Sequence, residues 1–130
     1  MNQEQIINFQ IIEQEAQQLN QQIQIIEQNI SEIISVKESI NEIQKEDVKE
    51  ILANLGKKVF IPVEIKEKYF IVDVGNKKFV KKSFSEINNL ISEQLEKLRI
   101  TRNQISKRLE DLEKEAEKIL NEIEKSKEKD

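Results

Sequence analysis

The sequence predicts an α+β fold that is mostly α-helical, in which a long antiparallel two-helix coiled coil carries one or two β-hairpins between its helices. Apolar residues recur at heptad spacing in the first and last thirds of the 130-residue chain, which is 35% charged and only 5% aromatic. The middle third instead combines β-branched and aromatic residues with the only proline and both glycines. We therefore expect one domain, with a helix over 1–45, a hairpin region over 46–83 and a helix over 84–130.

The first helix is predicted from a single apolar seam whose positions alternate in spacing between three and four residues. The seam residues are Phe9, Ile12, Ala16, Leu19, Ile23, Ile26, Ile30 and Ile33. Beyond them Ile40 keeps the phase, but Val36 and Ile43 each lie one residue early. This drift predicts that the apolar stripe turns toward a different neighbour near residue 36.

The last helix repeats the pattern, and its start is marked by Ser83 and Glu86, whose spacing matches a capping box. The one charged seam residue, Arg102, is expected to extend its long side chain into solvent. The seam residues are Ile91, Leu95, Leu98, Arg102, Ile105, Leu109, Leu112, Ala116, Ile119 and Ile123.

A helix with one narrow apolar stripe needs a partner, so we expect the two helices to fold back as an antiparallel pair. At 1.5 Å per residue such helices reach on the order of 60 Å. The antiparallel arrangement brings apolar residues near the two ends of the chain together, either as a contact surface for a partner or as a locally thick core. These residues are Ile6, Ile7, Phe9, Ile11, Ile12, Ile119, Leu120 and Ile123.

The middle of the chain alternates apolar side chains in the way that strands do. Asn54 and Gly56 are predicted to form a first turn, and Gly75–Asn76 a second. The segment VKEILANL, residues 48–55, has apolar spacing that fits a helix as well as a strand.

A few short strands with apolar residues on both faces have too little partner surface to be stable alone. Pro62 also marks its strand as an edge strand or a strand end. We therefore expect other subunits to complete the sheet, by edge pairing, by face packing or by both. The predicted assembly residues are Val59, Phe60, Ile61, Val63, Ile65, Phe70, Val72, Val74 and Phe79.

Composition and charge narrow the possible functions. Cysteine and histidine are absent, which excludes a Cys or His zinc site, a Cys nucleophile, a His general base and any disulfide. The formal charges of the three segments are −5, +3 and −2, so no segment offers the basic stripe that a nucleic-acid partner requires. We find no signal peptide and no apolar run of about 20 residues, and therefore expect a cytoplasmic protein without a membrane partner.

The hairpin region contains two distinctive segments, LGKKVFIPVEI at residues 55–65 and VDVGNKKFVKKS at residues 72–83. They resemble the prefoldin family, and its archaeal-type alpha class in particular. LGKKVFIPVEI, residues 55–65, is similar to the family's leucine-glycine turn followed by an apolar strand with a proline. VDVGNKKFVKKS, residues 72–83, is similar to its glycine turn, short strand and polar helix start. The helix–strands–helix plan agrees across essentially the whole chain. One departure is Ala53-Asn54, where alpha-class subunits usually have an apolar residue and a proline.

The resemblance implies an ATP-independent molecular chaperone, a holdase subunit without cofactor or catalysis. In this family two alpha and four beta subunits join their β-hairpins into a double β-barrel, and coiled-coil arms hold unfolded proteins for a group II chaperonin. The resemblance therefore implies three partners: prefoldin beta subunits, unfolded client proteins and a group II chaperonin. It also implies that residues 51–80 form the assembly region and that the apolar residues near the chain ends contact clients.

A coiled-coil adaptor that tethers one folded partner is the main alternative, because it would share the heptads and the oligomerising sheet. Specific pairing would be expected to leave a patterned polar surface, whereas five of the seven residues from Ile6 to Ile12 are apolar, which favours a promiscuous contact. An enzyme is the weakest alternative. The only carboxylates inside the apolar strand runs are Glu64 and Asp73, and both fit ordinary solvent-facing or turn positions.

Overall fold

The computed structural model describes residues 2–45 and 47–128. Over these residues the chain forms two long α-helices with four β-strands between them, which confirms the predicted fold class. The order is α1 (Gln3–Ile43), β1 (Glu50–Gly56), β2 (Val59–Glu64), β3 (Phe70–Gly75), β4 (Lys78–Lys82) and α2 (Phe84–Glu128). The chain divides into two compact units: a helical unit of Met1–Ile30 with Lys97–Asp130, and a hairpin unit of Ser31–Glu96.

In the helical unit, α1 and α2 bury the two predicted seams. The seam residue Leu112 is 1% exposed, and Ile30 and Ile123 are also buried. Off the seam, Ile25 and Ile100 are exposed. The heptad spacing therefore predicts the buried side of both helices.

The two helices run antiparallel in this unit. Ile12 and Glu15 of α1 line the same groove as Arg108 and Ile119 of α2. Early residues of one helix thus lie beside late residues of the other, as the folding back of two amphipathic helices requires.

The hairpin unit has its own core where the two helices meet the second hairpin. Ile40 of α1 is buried together with Ile87 and Ile91 of α2. The half-buried side chains packed against this cluster are Ile33, Phe70, Val72, Phe84 and Leu90. Both helices and β3 therefore share one apolar cluster.

The apolar stripe of α1 keeps its phase through this core. Val36 is exposed, while Lys37 is half-buried in the original phase and Ile40 is buried. Val36 therefore does not turn the stripe. Beyond residue 36 the stripe nevertheless reaches a different neighbour, because Ile40 shares a cluster with Phe70 and Val72 of β3, and Ile43 is half-buried. The aliphatic stem of a lysine can occupy a seam position while its ammonium reaches solvent, so a charged residue does not end the seam.

Both helices begin with a reciprocal pair of hydrogen bonds between a capping residue and the residue three positions later. The predicted capping box of α2 is confirmed, since Ser83 N donates to Glu86 Oε1 and Glu86 N donates to Ser83 Oγ, both at 3.2 Å. At the start of α1, Gln5 N donates to Asn2 Oδ1 at 2.8 Å and Asn2 N donates to Gln5 Oε1 at 3.2 Å. These bonds occupy amide groups at the helix starts that have no partner within the helix.

The strands of the described residues form two separate antiparallel hairpins, β1 with β2 and β3 with β4. Of the one or two hairpins predicted between the helices, the described residues therefore form two. The ambiguous segment VKEILANL becomes strand from Glu50 onward, because Ile51 pairs with Val63 and Ala53 with Ile61. The helical spacing of this segment is misleading, since the pairing with β2 is a contact with a later part of the chain.

The two hairpins use the same turn. The two central residues have positive φ angles in each: Lys57 and Lys58 at 49° and 65°, and Asn76 and Lys77 at 53° and 60°. Positive φ at both positions is characteristic of a type I′ hairpin turn. The predicted Gly75–Asn76 turn is therefore one residue early.

Each turn is preceded by a glycine in a conformation that other residues rarely adopt, Gly56 with φ 108° and Gly75 with φ 97°. Gly56 N donates to Asn54 Oδ1 at 2.8 Å, and Gly75 N donates to Asp73 Oδ1 at 2.9 Å. A register shift accompanies both glycines. Asn54 and Gly56 thus shape the first turn, although they precede its central pair.

Candidate functional site

A first candidate surface lies at the paired helix ends of the helical unit. Of the eight residues predicted to contact clients, four are exposed, and we call them the helix-end surface: Ile6, Ile7, Ile11 and Leu120. Phe9, Ile12 and Ile119 are half-buried. Ile123 is only 7% exposed, so it contributes to the pairing of the helices and not to the accessible surface.

A groove of about 410 Å³ runs between the two helices beside this surface. Its apolar lining includes Ile11, Ile12 and Ile119, and charged side chains of both helices line much of the rest. Small-molecule sites are usually enclosed and mostly apolar, with few polar groups. The mixed lining of this groove therefore suits a broad contact better than a small ligand.

Arg108 of α2 and Glu15 of α1 join the helices beside this groove. Arg108 Nε donates to Glu15 Oε1 at 2.9 Å, and Arg108 Nη2 donates to Glu15 Oε2 at 3.2 Å. These bonds and the charge of Glu15 raise the pKa of the Arg108 guanidinium further above its usual value. Sequence reasoning missed this pair and considered only Arg102, although charges that flank a seam are a signal of interhelical pairing.

The first hairpin forms a second candidate surface. Three predicted assembly residues of β2 are exposed, Val59, Phe60 and Ile61, while Val63 and Ile65 are half-buried. Leu52 and Leu55 of β1 are also exposed, each by 66%. Both leucines lie within the assembly region 51–80 that the resemblance implies, but they are not among the individually predicted residues because their segment fits a helix as well as a strand. Alternation along β1 places Leu52 on the face opposite Ile51, which the strand pairing makes evident.

The second hairpin has one face on the core and one face in solvent. Phe70 and Val72 pack against the buried cluster of Ile40, Ile87 and Ile91, so within the chain they attach this hairpin to the helices. Val74 and Phe79 are exposed.

Ile71, which is not among the predicted assembly residues, is exposed as well. It pairs with Lys81, whose ammonium lies 4.1 Å from the centroid of the Tyr69 ring. The solvent face of this hairpin is therefore apolar and aromatic with a basic margin.

The two edges of the first hairpin differ in hydrogen-bonding capacity. Ile65 N donates to Lys49 O at 2.7 Å, and Pro62 lies opposite Leu52 in the same register. Because pairs alternate along an antiparallel ladder, Leu52 and Pro62 form a non-hydrogen-bonded pair whose backbone groups point outward. The outer edge of β2 therefore lacks one N–H donor at Pro62, whereas the outer edge of β1 keeps its donor at Leu52.

Two further properties concern the residues that the structure describes. Neither of the two described helices contains an apolar stretch that could span a bilayer. Acidic side chains within residues 2–45 and 47–128 form no group arranged to hold a metal ion.

The sequence and the fold of this chain both match those of known proteins. The family described as "Prefoldin subunit" matches residues 12–129. No curated protein sequence matches the chain significantly. Among solved structures, 16 chains match. One of them, from the cryo-EM structure of filamentous PFD from Methanocaldococcus jannaschii, is 14% identical, with a TM-score of 0.72 over 88% of this chain and 97% of that chain.

The family match and the structural match both agree with the observed order of helix, strands and helix. The structural match shows the fold of two long helices with hairpins between them, and the family match extends over most of the sequence. The exposed apolar strand residues fit a chain that assembles with other subunits. The chain therefore belongs to the prefoldin subunit family.

Proposed function

We propose that this chain is an alpha-class prefoldin subunit that acts as an ATP-independent holdase. Unfolded proteins are held at the paired helix ends and passed to a group II chaperonin in the cytoplasm. The observation that carries this proposal is the exposure of Ile6, Ile7, Ile11 and Leu120 in a member of the prefoldin family. Exposed and adaptable apolar side chains suit clients that share little besides exposed apolar surface.

The alpha class is supported by the hairpin region. The motifs LGKKVFIPVEI and VDVGNKKFVKKS resemble alpha-class subunits. The described residues form two hairpins, in spite of the departure at Ala53-Asn54. We propose that beta-class subunits are the assembly partners, in a hexamer of two alpha and four beta chains.

Assembly through the hairpins is supported by their exposed apolar side chains and outer edges. A two-stranded sheet is marginal by itself, and three or more strands with an apolar face are needed for stability. Leu52, Phe60 and Phe79 are more than half exposed in the single chain. Pairing through the edge of β1 provides a donor at Leu52, whereas pairing through β2 leaves a partner carbonyl without a donor at Pro62.

The client-binding proposal is tested with the full chain assembled with a beta-class subunit. The variant Ile7→Ser/Ile11→Ser/Leu120→Ser should assemble normally and lose the ability to suppress aggregation of a denatured test protein without ATP. The matched control is Ile100→Ser, which removes an exposed isoleucine of the same unit outside the helix-end surface. Unchanged suppression by the triple variant would contradict the proposal, and selective binding of one folded protein would favour an adaptor.

A second mode of assembly is suggested by the comparison with filamentous PFD. In this mode the outer hairpin edges join copies of the same chain in the absence of a beta-class subunit. Electron microscopy and light scattering of the purified chain, alone and mixed with a beta-class subunit, distinguish filaments from a closed hexamer.

A further inference from the structure

The two long helices differ in their distribution of charge. Residues 1–36 contain no lysine or arginine, and residues 16–26, AQQLNQQIQII, contain no charged residue at all. In α2, by contrast, 17 of the 32 residues from 97 to 128 are charged. Solvent-facing positions of coiled-coil helices are normally occupied by charges that form pairs along the helix. The absence of charge from residues 16–26 therefore calls for an explanation other than solubility.

The uncharged residues form one exposed face of α1. Between residues 7 and 28, the heptad positions that point away from the seam hold only glutamine and isoleucine. One row of this face is Gln10, Gln14, Gln17, Gln21, Gln24 and Gln28, at alternating spacings of four and three residues. Beside this row lie Ile7, Ile11, Gln18 and Ile25. All ten side chains are exposed, and we call them the neutral face.

The chemistry of this face fits the main chain of an unfolded polypeptide. A glutamine side chain carries a carbonyl acceptor and an amide donor, the same pair that a peptide group offers. It can therefore bind the main chain of a segment whatever its side chains are. Because the face carries no charge, it repels neither acidic nor basic segments, whereas a row of glutamates or lysines would select clients by charge.

The neutral face is continuous with the helix-end surface, because Ile7 and Ile11 belong to both. A shallow groove of about 300 Å³ is lined by these isoleucines, by Gln10, Gln14 and Gln17, and by one charged side chain, Glu13. From Ile7 to Gln28 the helix rises about 32 Å, which is the length of about ten residues of extended chain.

We propose that the neutral face is a docking surface for the main chain of unfolded clients, which continues from the helix-end surface along α1. This rests on the proposed holdase function and adds amide hydrogen bonding to its apolar contacts. A second copy of α1 is a poorer occupant, since a helix pair needs an apolar seam at every turn. Between Ile11 and Ile25, every position of the neutral face is a glutamine.

The decisive variant removes three amides without adding charge: Gln14→Ala/Gln17→Ala/Gln21→Ala in the full chain assembled with a beta-class subunit. Alanine favours the helix, so circular dichroism should remain unchanged. Binding is measured by fluorescence anisotropy with two labelled unfolded probes, acidic carboxymethylated α-lactalbumin and basic carboxamidomethylated lysozyme, both reduced. We expect the Kd to rise about fivefold or more for both probes.

Charge is tested by Gln14→Glu/Gln17→Glu/Gln21→Glu, which should weaken binding of the acidic probe further than the alanine variant does. The matched control, Asn103→Glu/Gln104→Glu/Ser106→Glu, adds the same charge at exposed positions of α2. This control should bind both probes as the unaltered chain does.

Three outcomes would overturn the inference. The alanine variant binds both probes as the unaltered chain does, while Ile7→Ser/Ile11→Ser/Leu120→Ser loses binding; the holdase function then stands and the neutral face is only a solvated surface. The alanine variant changes the oligomeric state in sedimentation without changing binding; the face is then a subunit contact. The unaltered chain binds neither probe; the holdase proposal itself then fails.

Discussion

Arg108 and Glu15 are joined by two hydrogen bonds, of 2.9 and 3.2 Å, that connect α2 to α1 within the helical unit. Arg108 Nη1 also lies 3.9 Å from Glu115 Oε1 of its own helix. A guanidinium offers a rigid fork of donors to a carboxylate, so the pair is satisfied in one alignment of the two helices. Both side chains are partly exposed, and the gain in stability is therefore small compared with that of the buried seam.

Replacing Arg108 by lysine should remove the fork and keep the charge. We expect Arg108→Lys to lower the Tm by only about 1–3 °C, and this loss should shrink at high salt. Thermal unfolding followed by circular dichroism measures it. In a Glu15→Gln background the same substitution should have no further effect, and an equal loss there would show that the pair contributes nothing.

The seam residue Leu112 should be the most sensitive position of the helical unit. Its side chain is 1% exposed, so Leu112→Ala leaves a cavity and should lower the free energy of unfolding by about 3 kcal/mol. Leu120→Ala removes the same atoms from an exposed position and should change the free energy by less than about 0.5 kcal/mol. Urea unfolding of both variants checks this, and equal losses would contradict the heptad assignment.

Substitutions at Gly56 and at Lys58 should change the stability of the first hairpin in opposite directions. Gly56 has φ 108°, so Gly56→Ala should destabilise the hairpin by about 1–2 kcal/mol. Lys58 has φ 65°, and Lys58→Gly should stabilise it by up to about 1 kcal/mol because glycine adopts positive φ without strain. Hydrogen exchange of the β1 and β2 amides measures both changes, and the assignment fails if the two variants shift protection in the same direction.

The start of α2 should depend on pH through Glu86. The backbone N–H of Ser83, followed by its side chain, lowers the pKa of the Glu86 carboxyl. A carboxyl whose pKa is lower in the folded chain stabilises it above the unfolded pKa, and this contribution is lost as pH falls through the folded value. Glu86→Gln keeps an oxygen acceptor that does not titrate, so it should differ from the unaltered chain near neutral pH and converge with it in acid. Urea unfolding at several pH values measures this, and a difference that grows on acidification would contradict it.

Substitutions of the two phenylalanines of the second hairpin should have different effects, one on assembly and the other on the stability of the fold. Phe79 is 66% exposed, so Phe79→Lys should leave helix content and Tm almost unchanged while it reduces assembly in light scattering. Phe70 packs against the buried cluster of Ile40, Ile87 and Ile91, so Phe70→Ala should lower the Tm by several degrees. Normal assembly of the Phe79 variant would show that this face is not a subunit contact.

Much of the fold could be predicted because helix periodicity is a local property. The seam residues from Phe9 to Ile30 and from Leu98 to Ile123 are all at least half-buried, and the off-seam Ile25 and Ile100 are exposed. The capping box of Ser83 and Glu86 is local as well. Burial along a helix follows from spacing alone, which is why these expectations are confirmed.

The strands could be predicted only in part, because strand pairing is not local. Leu52 and Leu55 have helical spacing with their neighbours, and only the partner strand β2 makes their segment extended. In the second hairpin the central turn pair is Asn76 and Lys77, one residue later than predicted, because a lysine at positive φ is not a usual turn signal.

The sequence by itself determined which side of each helix is buried, where α2 begins and that the middle of the chain forms strands, because these depend on residues within a few turns of one another. The tertiary structure decided the rest. It set the pairing of Glu15 with Arg108, the packing of Phe70 and Val72 on the helices and the outward position of Pro62. Each of these joins residues distant in the chain, and the free energy of such contacts depends on geometry that no short stretch of sequence contains.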